Sequence, residues 1–274
     1  MKKIEKNEQG FTLIELSVVI VIIGLLVGGI LVGRDLIKSA ELRATIGQID
    51  KYNTAVQTFK LKFNAVPGDI RQAEANSFGM FTMSAATPVG YGDGNGLVEG
   101  GATGGTNPVG EVIVFWRHMF EAGFVDGTFG SQGNSILVPA TGLVTGSVTT
   151  ISQSLPPTKL TPENSFVVFA ANGLNYFSIL PINTITTTPS YTYSPSGITP
   201  INAFNIDIKL DDGRPYTGAI IARGIAAVNA TPTVNGASTA NTCTIGASTA
   251  TDTYNGVIAT GGNDLSCGVR IRFQ

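Results

Sequence analysis

An almost unbroken apolar stretch near the N-terminus constrains this chain more than any other feature of its sequence. From Phe11 to Val32, about 22 residues are nearly all hydrophobic. As an α-helix this stretch covers about 33 Å, which is enough to cross the hydrocarbon core of a bilayer. Lys2, Lys3 and Lys6 precede it, so we expect a short cytoplasmic leader and a helix that spans a membrane once.

Glu15 is a carboxylate inside the apolar stretch, and it separates three interpretations of the segment. A secretory signal peptide would be followed by an Ala-x-Ala type of cleavage site, and none follows. A plain membrane anchor leaves Glu15 without a cation, at a cost on the order of 3 kcal/mol. Cleavage between Gly10 and Phe11 supplies that cation, because the new α-amino group has a pKa near about 8. The amine could interact with Glu15 of its own helix, or with Glu15 of a staggered neighbouring helix in a filament, where the pair would set the axial register.

Residues 10–16 have the sequence GFTLIEL and are followed by the apolar helix. This pattern resembles the class III signal of type IV prepilins and type II secretion pseudopilins, over residues 1–55. The resemblance implies that a membrane-embedded prepilin peptidase cuts after Gly10 and methylates Phe11, and that the glutamate of the family falls on Glu15. It further implies polymerisation with other pilin-like subunits on an inner-membrane assembly platform. The product would be a periplasmic or cell-surface filament.

The sequence departs from many members of that family at Val32, where they carry a proline. Gly24, Gly28, Gly29 and Gly33 lie nearby instead. Glycine lowers helix stability by up to about 1 kcal/mol relative to alanine, so the cluster favours local melting of the helix during assembly. Close contact between helices through small residues in the membrane explains the cluster equally well.

The helix is predicted to continue as an amphipathic half over residues 34–66, because no proline occurs before Pro67. Its apolar residues recur at spacings of three and four and form one stripe, which packs on the chain's own sheet or on a coiled-coil partner. The stripe consists of Leu42, Ile46, Ile49, Tyr52, Val56, Phe59 and Phe63. We therefore predict an α+β fold with four parts: a leader at 1–10, a membrane and filament-core helix at 11–33, its amphipathic half at 34–66, and a loop-rich antiparallel β-sheet head at 67–274.

Within the head, Glu111–Ala122 is predicted to be a short helix, with His118 making a polar contact at its surface. An Asn-Gly pair after Ala171 predicts a tight turn between two strands. The predicted strands are Ser165–Ala171, Leu174–Leu180, Phe204–Leu210, Thr217–Arg223 and Val269–Phe273. The segment 206–213 also resembles larger pilin-like proteins, which supports a C-terminal sheet. Residues 183–200 and 228–255 are rich in Thr, Ser, Pro and Asn and are predicted to be loops on the filament exterior.

Asp93, Asn95 and Glu99 carry oxygen atoms at spacings similar to those of a calcium-binding loop. Leu97 stands where a further ligand is wanted and the glutamate comes early, so a tight turn is the alternative to a structural calcium ion. Asp211 and Asp212 are further oxygen ligands that the fold could bring to the same ion.

Cys243 and Cys267 are the only cysteines of the chain. In an exported protein such a pair predicts a disulfide bond, which would close a loop of about 25 residues. Two free buried thiols are the alternative.

Composition argues against several functional classes. The net charge is -2 and indicates no direct nucleic-acid site, and a single histidine leaves little scope for acid–base or metal catalysis. The sequence contains no nucleophile elbow, no Walker loop and no zinc-ligand spacing, so no catalytic residue is predicted. We predict a structural pilus subunit rather than an enzyme. A secretion pseudopilin is the first alternative, and a membrane-anchored enzyme or binding protein the second.

Overall fold

The computed structural model describes residues 12–82, 92–100, 108, 110–127, 129, 137–138, 143–144, 151–185, 191–193, 197–224, 243–245, 253–254 and 267–273. The chain divides into two compact units, the first ending at Arg43 and the second beginning at Ala44. The predicted leader at 1–10 and residue Phe11 lie outside the described residues.

The described elements are four α-helices, a short 3-10 helix and ten strands. The helices are α1 Leu13–Phe63, α2 Gln72–Ser77, α3 Glu111–Glu121 and α4 Pro200–Leu210, with the 3-10 helix at Ile151–Gln153. The strands are β1 Leu137–Val138, β2 Leu143–Val144, β3 Ser165–Ala171, β4 Leu174–Leu180, β5 Ile182–Ile185, β6 Tyr191–Tyr193, β7 Ile220–Gly224, β8 Thr244–Ile245, β9 Thr253–Tyr254 and β10 Cys267–Phe273.

In the first unit, helix α1 is apolar on every side from Leu16 to Val32. Each residue from Thr12 to Val32 is exposed, and the helix has a mean hydropathy of 2.9 over its most apolar window. Among the described residues it is the one helix long and apolar enough to cross a membrane. An apolar surface of this extent needs lipid or other apolar helices around it.

In the second unit, α1 buries one face against the rest of the head. Ile49, Tyr52, Val56 and Phe59 are 5% exposed or less, and their spacing of three or four residues places them on one side of the helix. The Tyr52 ring lies 4.9 Å from the Trp116 ring on α3 and meets an aromatic ring of β3 at 5.1 Å. This part of the predicted stripe therefore packs within the chain, as the α+β prediction requires.

The main sheet is antiparallel and has the strand order β3-β4-β10-β7. Strands β3 and β4 form the predicted hairpin, with Ala171 opposite Leu174. Asn172 and Gly173 both have positive φ, 52° and 73°, which a two-residue turn between twisted strands requires. The two hairpin strands have the predicted bounds. The final strand begins two residues earlier than predicted, at Cys267.

The predicted strand Phe204–Leu210 was wrong, because this segment belongs to helix α4. Thr199 caps the helix by accepting a hydrogen bond from Asn202 N–H at 3.3 Å, and Pro200 occupies the first turn. Ala203 and Ile206 are buried at helical spacing, whereas Ile208 is about half exposed. The β-branched and aromatic residues that indicated a strand are compatible with a helix, and the cap favours the helix.

Two further predictions in the head need correction. The strand predicted at Thr217–Arg223 begins only at Ile220, because the Asp211 carboxylate accepts the N–H groups of Ala219 and Ile220. Part of the predicted loop at 183–200 is instead a hairpin of β5 and β6, and Ile185, Tyr191 and Tyr193 on it are buried. A few well-spaced apolar residues are enough for this small hairpin. Most of the loop predicted at 228–255 lies outside the described residues.

The predicted disulfide bond is confirmed. Cys243 is joined to Cys267, with a sequence separation of 24 and a Cα–Cα distance of 5.1 Å. Both cysteines are fully buried. The bond ties the chain before β8 to the first residue of β10, a strand that pairs with both β4 and β7.

Candidate functional site

Glu15 lies in the first turn of α1 and is its only charged residue before Arg34. One carboxylate oxygen, Oε2, accepts hydrogen bonds from the backbone N–H and the hydroxyl of Thr12, each at 2.8 Å. In return, the Thr12 hydroxyl oxygen accepts the Glu15 N–H at 3.3 Å. This reciprocal arrangement is a capping box, which satisfies donors that a helix start leaves open.

The capping box assigns a role to Thr12 that our sequence analysis missed. The signal was present, because a Thr-x-x-Glu pattern directly before an apolar run marks a helix start. The predicted cleavage residues Gly10 and Phe11 lie outside the described residues, so pairing of Glu15 with the Phe11 amine stays a prediction. Within the described chain, Glu15 already has hydrogen-bond donors while it remains exposed.

A second polar arrangement lies in the head, where two buried carboxylates accept hydrogen bonds from a glycine-rich loop, residues 92–99. Glu111, at the start of α3, accepts Gly92 N–H at 2.7 Å and Glu99 N–H at 2.8 Å. Asp69 accepts two more backbone N–H groups of the loop, from Gly94 and Gly96, each at 2.6 Å. The loop passes so close to residue 70 that a Cβ at position 92 would lie 2.3 Å from the Ile70 carbonyl oxygen. Only glycine fits there.

Carboxylate oxygens of Asp69, Asp93 and Glu111 lie within 4.8 Å of one another. Burial raises the pKa of Glu111 to about 9, and repulsion from Asp69 adds to this shift. Burial likewise raises the pKa of Asp69 to about 6. The backbone N–H donors oppose both shifts because they favour the charged forms. These shifts predict that the folded chain keeps a proton on Glu111 at neutral pH.

This retained proton makes the stability of the head depend on pH. Between pH 6.5 and 9 we expect the free energy of unfolding to fall as pH rises, by up to about 1.4 kcal/mol per pH unit. In that window folded Glu111 holds a proton that the unfolded chain, with a pKa near 4.5, has lost. Chemical denaturation of the full-length chain in detergent at a series of pH values measures the slope.

Two variants show whether Glu111 is the source of the slope. Glu111→Gln cannot ionise and should flatten the dependence, although it loses one acceptor for the loop N–H groups. Glu163→Gln removes an exposed carboxylate and should leave the slope as it is. A wild-type stability that is constant or rising across this window would contradict the assignment.

The predicted calcium ligands do lie together, but they are joined by hydrogen bonds. The Asn95 amide nitrogen donates to Asp93 and to Glu99, each at 3.1 Å, and Asn95 Oδ1 accepts Leu97 N–H at 2.7 Å. The amide oxygen that an ion would use is thus engaged by the backbone. Asp211 and Asp212 lie in a separate cluster with Asp207. Calcium at Asp93, Asn95 and Glu99 stays a prediction.

A calcium titration tests this prediction. If the loop binds the ion, millimolar calcium should raise the melting temperature of chelator-treated full-length chain, and Asp93→Asn should remove the increase. Magnesium serves as the control, because it prefers a smaller, octahedral and largely hydrated site. An unchanged melting temperature would leave the hydrogen-bonded turn as the correct interpretation.

Comparison with known proteins gives a family match at the N-terminus. Residues 6–31 match the family model of the prokaryotic N-terminal methylation motif. No curated protein and no solved structure matches the chain. The match covers the predicted cleavage residues, Glu15 and most of the apolar half of α1. It supports the type IV pilin and pseudopilin family, and with it the identification of this chain as a pilin-like precursor.

Proposed function

We propose that this chain is a structural subunit of a type IV pilus-like filament, processed after Gly10 and polymerised through helix α1. The observation that carries the proposal is the methylation motif at 6–31, which overlaps the part of α1 in which every residue from Thr12 to Val32 is exposed. A helix of this kind suits a bilayer before assembly and a bundle of like helices afterwards. The role is mechanical, and no step of it needs a catalytic residue.

The proposed assembly begins with processing in the inner membrane, with the N-terminus in the cytoplasm. Prepilin peptidase removes the leader and methylates Phe11, and the assembly platform then takes the subunit out of the lipid. Extraction exchanges one apolar environment for another, so burial of apolar surface gives little net free energy. Shape fit and the polar pair formed by Glu15 and the Phe11 amine would therefore decide the register between subunits.

The capping box adds a step to this sequence. While the subunit is alone in the membrane, Thr12 supplies two donors to Glu15, which lowers the penalty of a carboxylate in an apolar setting. On assembly the same carboxylate has free lone pairs for the amine of a neighbouring subunit, because a carboxylate offers about four acceptor sites. The Thr12 contacts would thus stabilise the Glu15 carboxylate and still leave it able to pair with the amine of the next subunit.

Mass spectrometry tests the processing. Fibres sheared from cells should contain a chain that starts at N-methylated Phe11, and the membrane fraction of a peptidase-deficient strain should contain the uncut form. A chain found in fibres with residues 1–10 still attached would overturn the proposal. An enzymatically active monomer that does not enter fibres would favour the enzyme alternative instead.

A pseudopilin of a type II secretion system remains the second candidate, because it shares the same N-terminal motif. A loop-rich head suits an exposed fibre slightly better than a short periplasmic piston. Deletion of the chain distinguishes the two. Loss of surface fibres with normal protein secretion supports a pilus, whereas loss of secretion with unchanged surface fibres supports the pseudopilin.

A further inference from the structure

His118 is the only histidine of the chain and lies on helix α3 inside the head. It makes the polar contact predicted for it at the helix surface, but it is 1% exposed, so that contact lies inside the head. It takes no part in the proposed filament function. A buried histidine with specific partners is still a group that can take up a proton near physiological pH.

Both ring nitrogens of His118 are engaged, and their partners fix the tautomer. Gly68 N–H donates to Nδ1 at 3.0 Å, so Nδ1 carries no proton. Nε2 lies 2.8 Å from the Phe81 carbonyl oxygen, which can only accept, so Nε2 carries the hydrogen. The imidazole is therefore neutral and bridges two chain segments that are distant in sequence from α3.

The Gly68 contact connects His118 to the glycine-rich loop. Gly68 lies in a turn closed by a hydrogen bond from Asp69 N–H to the Val66 carbonyl at 3.1 Å. The next residue, Asp69, holds the loop through the N–H groups of Gly94 and Gly96. Loss of the bond between His118 and Gly68 would therefore act on the neighbouring residue, Asp69, and through its carboxylate on the loop.

We propose that His118 is a proton-operated latch: protonation of Nδ1 breaks its hydrogen bond with Gly68 N–H and releases the turn and the loop that Asp69 holds. In the imidazolium both nitrogens are donors, so Gly68 N–H would face another N–H group. The Nε2 bond to Phe81 survives protonation. Protonation therefore breaks only the hydrogen bond with Gly68 and leaves the one with Phe81 intact.

The charged groups near His118 set the pH at which the latch opens. Burial lowers the pKa of the imidazole. On its own helix, Glu121 favours the cation and Arg117 disfavours it. On the opposite segment Asp69 follows Gly68, and its oxygens accept loop N–H groups. Because the folded pKa lies below the unfolded value of 6.5, this stabilisation is complete above pH 6.5 and is lost as pH falls.

Nuclear magnetic resonance of the full-length chain in detergent micelles tests the latch directly. One histidine gives one set of imidazole signals after selective ¹⁵N labelling, with no assignment problem. We expect the Nε2–H tautomer at pH 7.5, a titration midpoint below 6.5, and a loss of hydrogen-exchange protection at Gly68 that follows the same titration. An Nδ1–H tautomer, a midpoint at or above 6.5, or Gly68 protection unchanged through the titration would overturn the proposal.

A variant distinguishes the effect of protonating His118 on Gly68 from the effect of carboxyl groups that titrate in the same pH range. His118→Gln should make Gly68 exchange faster at pH 7.5 and should remove the acid-dependent step in its protection. Lys51→Gln changes an exposed charge elsewhere on the head and should keep that step. If His118→Gln does not fold, the wild-type titration alone decides the question.

Discussion

Replacing Glu15 with alanine is expected to abolish filaments while leaving membrane insertion and cleavage after Gly10 intact. In the proposed filament, the variant leaves the Phe11 amine of a neighbouring subunit buried without its counter-charge. Breaking a buried ion pair from one side costs about 3–5 kcal/mol, which corresponds to roughly a 100-fold or larger loss of affinity at each subunit contact. The yield of sheared fibres, compared with the amount of processed subunit in membranes, measures the effect.

Two matched variants separate the charge of Glu15 from its capping role. Glu15→Gln can still accept the Thr12 donors but carries no charge, so we expect it to lose filaments almost as fully as the alanine variant. Thr12→Val keeps the charge and removes the hydroxyl contacts, so filaments should form at a reduced yield. Normal fibres from Glu15→Gln would show that the amine–carboxylate pair does not set the register.

The parts of the fold that sequence predicted are those in which neighbouring residues decide the structure. Helix α1 follows from an uninterrupted apolar and then periodic pattern, and the β3–β4 hairpin follows from the Asn-Gly pair at 172–173. The Cys243–Cys267 bond followed from the number of cysteines, because two cysteines allow one pairing. Each of these predictions needed only local information or a count.

Helix α4 shows where local information was ambiguous. Its apolar residues alternate along the sequence, and the same residues also fit a helix that buries only Ala203, Ile206 and their neighbours. The decisive signal was Thr199 followed by Pro200, which marks a helix start. The strand prediction rested on the β-branched and aromatic residues of 204–210 and took no account of this cap.

The cluster of Asp69, Asp93 and Glu111 could not be predicted. Its carboxylates are far apart in the sequence, and their hydrogen-bond donors are mostly backbone N–H groups. Asp69 and Glu111 meet only through the packing of α3, and their partners are N–H groups of residues 92–99, which every sequence offers. The burial of His118 could not be predicted for a related reason. Its partners are the backbone atoms of Gly68 and Phe81, so nothing in the residue pattern indicated that it is buried.

Replacing Cys243 with serine should destabilise the head by about 3–4 kcal/mol, since the disulfide restricts the unfolded chain over a separation of 24 residues. For a domain of this size we expect the melting temperature to fall by about 10 °C, measured by calorimetry on full-length chain in detergent. Cys267→Ser removes the same bond and should match it. The double variant should then be no less stable than either single variant, because the bond is lost only once. Equal melting of the wild type and Cys243→Ser would mean that the disulfide adds nothing to stability, and that the packing of β10 between β4 and β7 holds the C-terminal strand by itself.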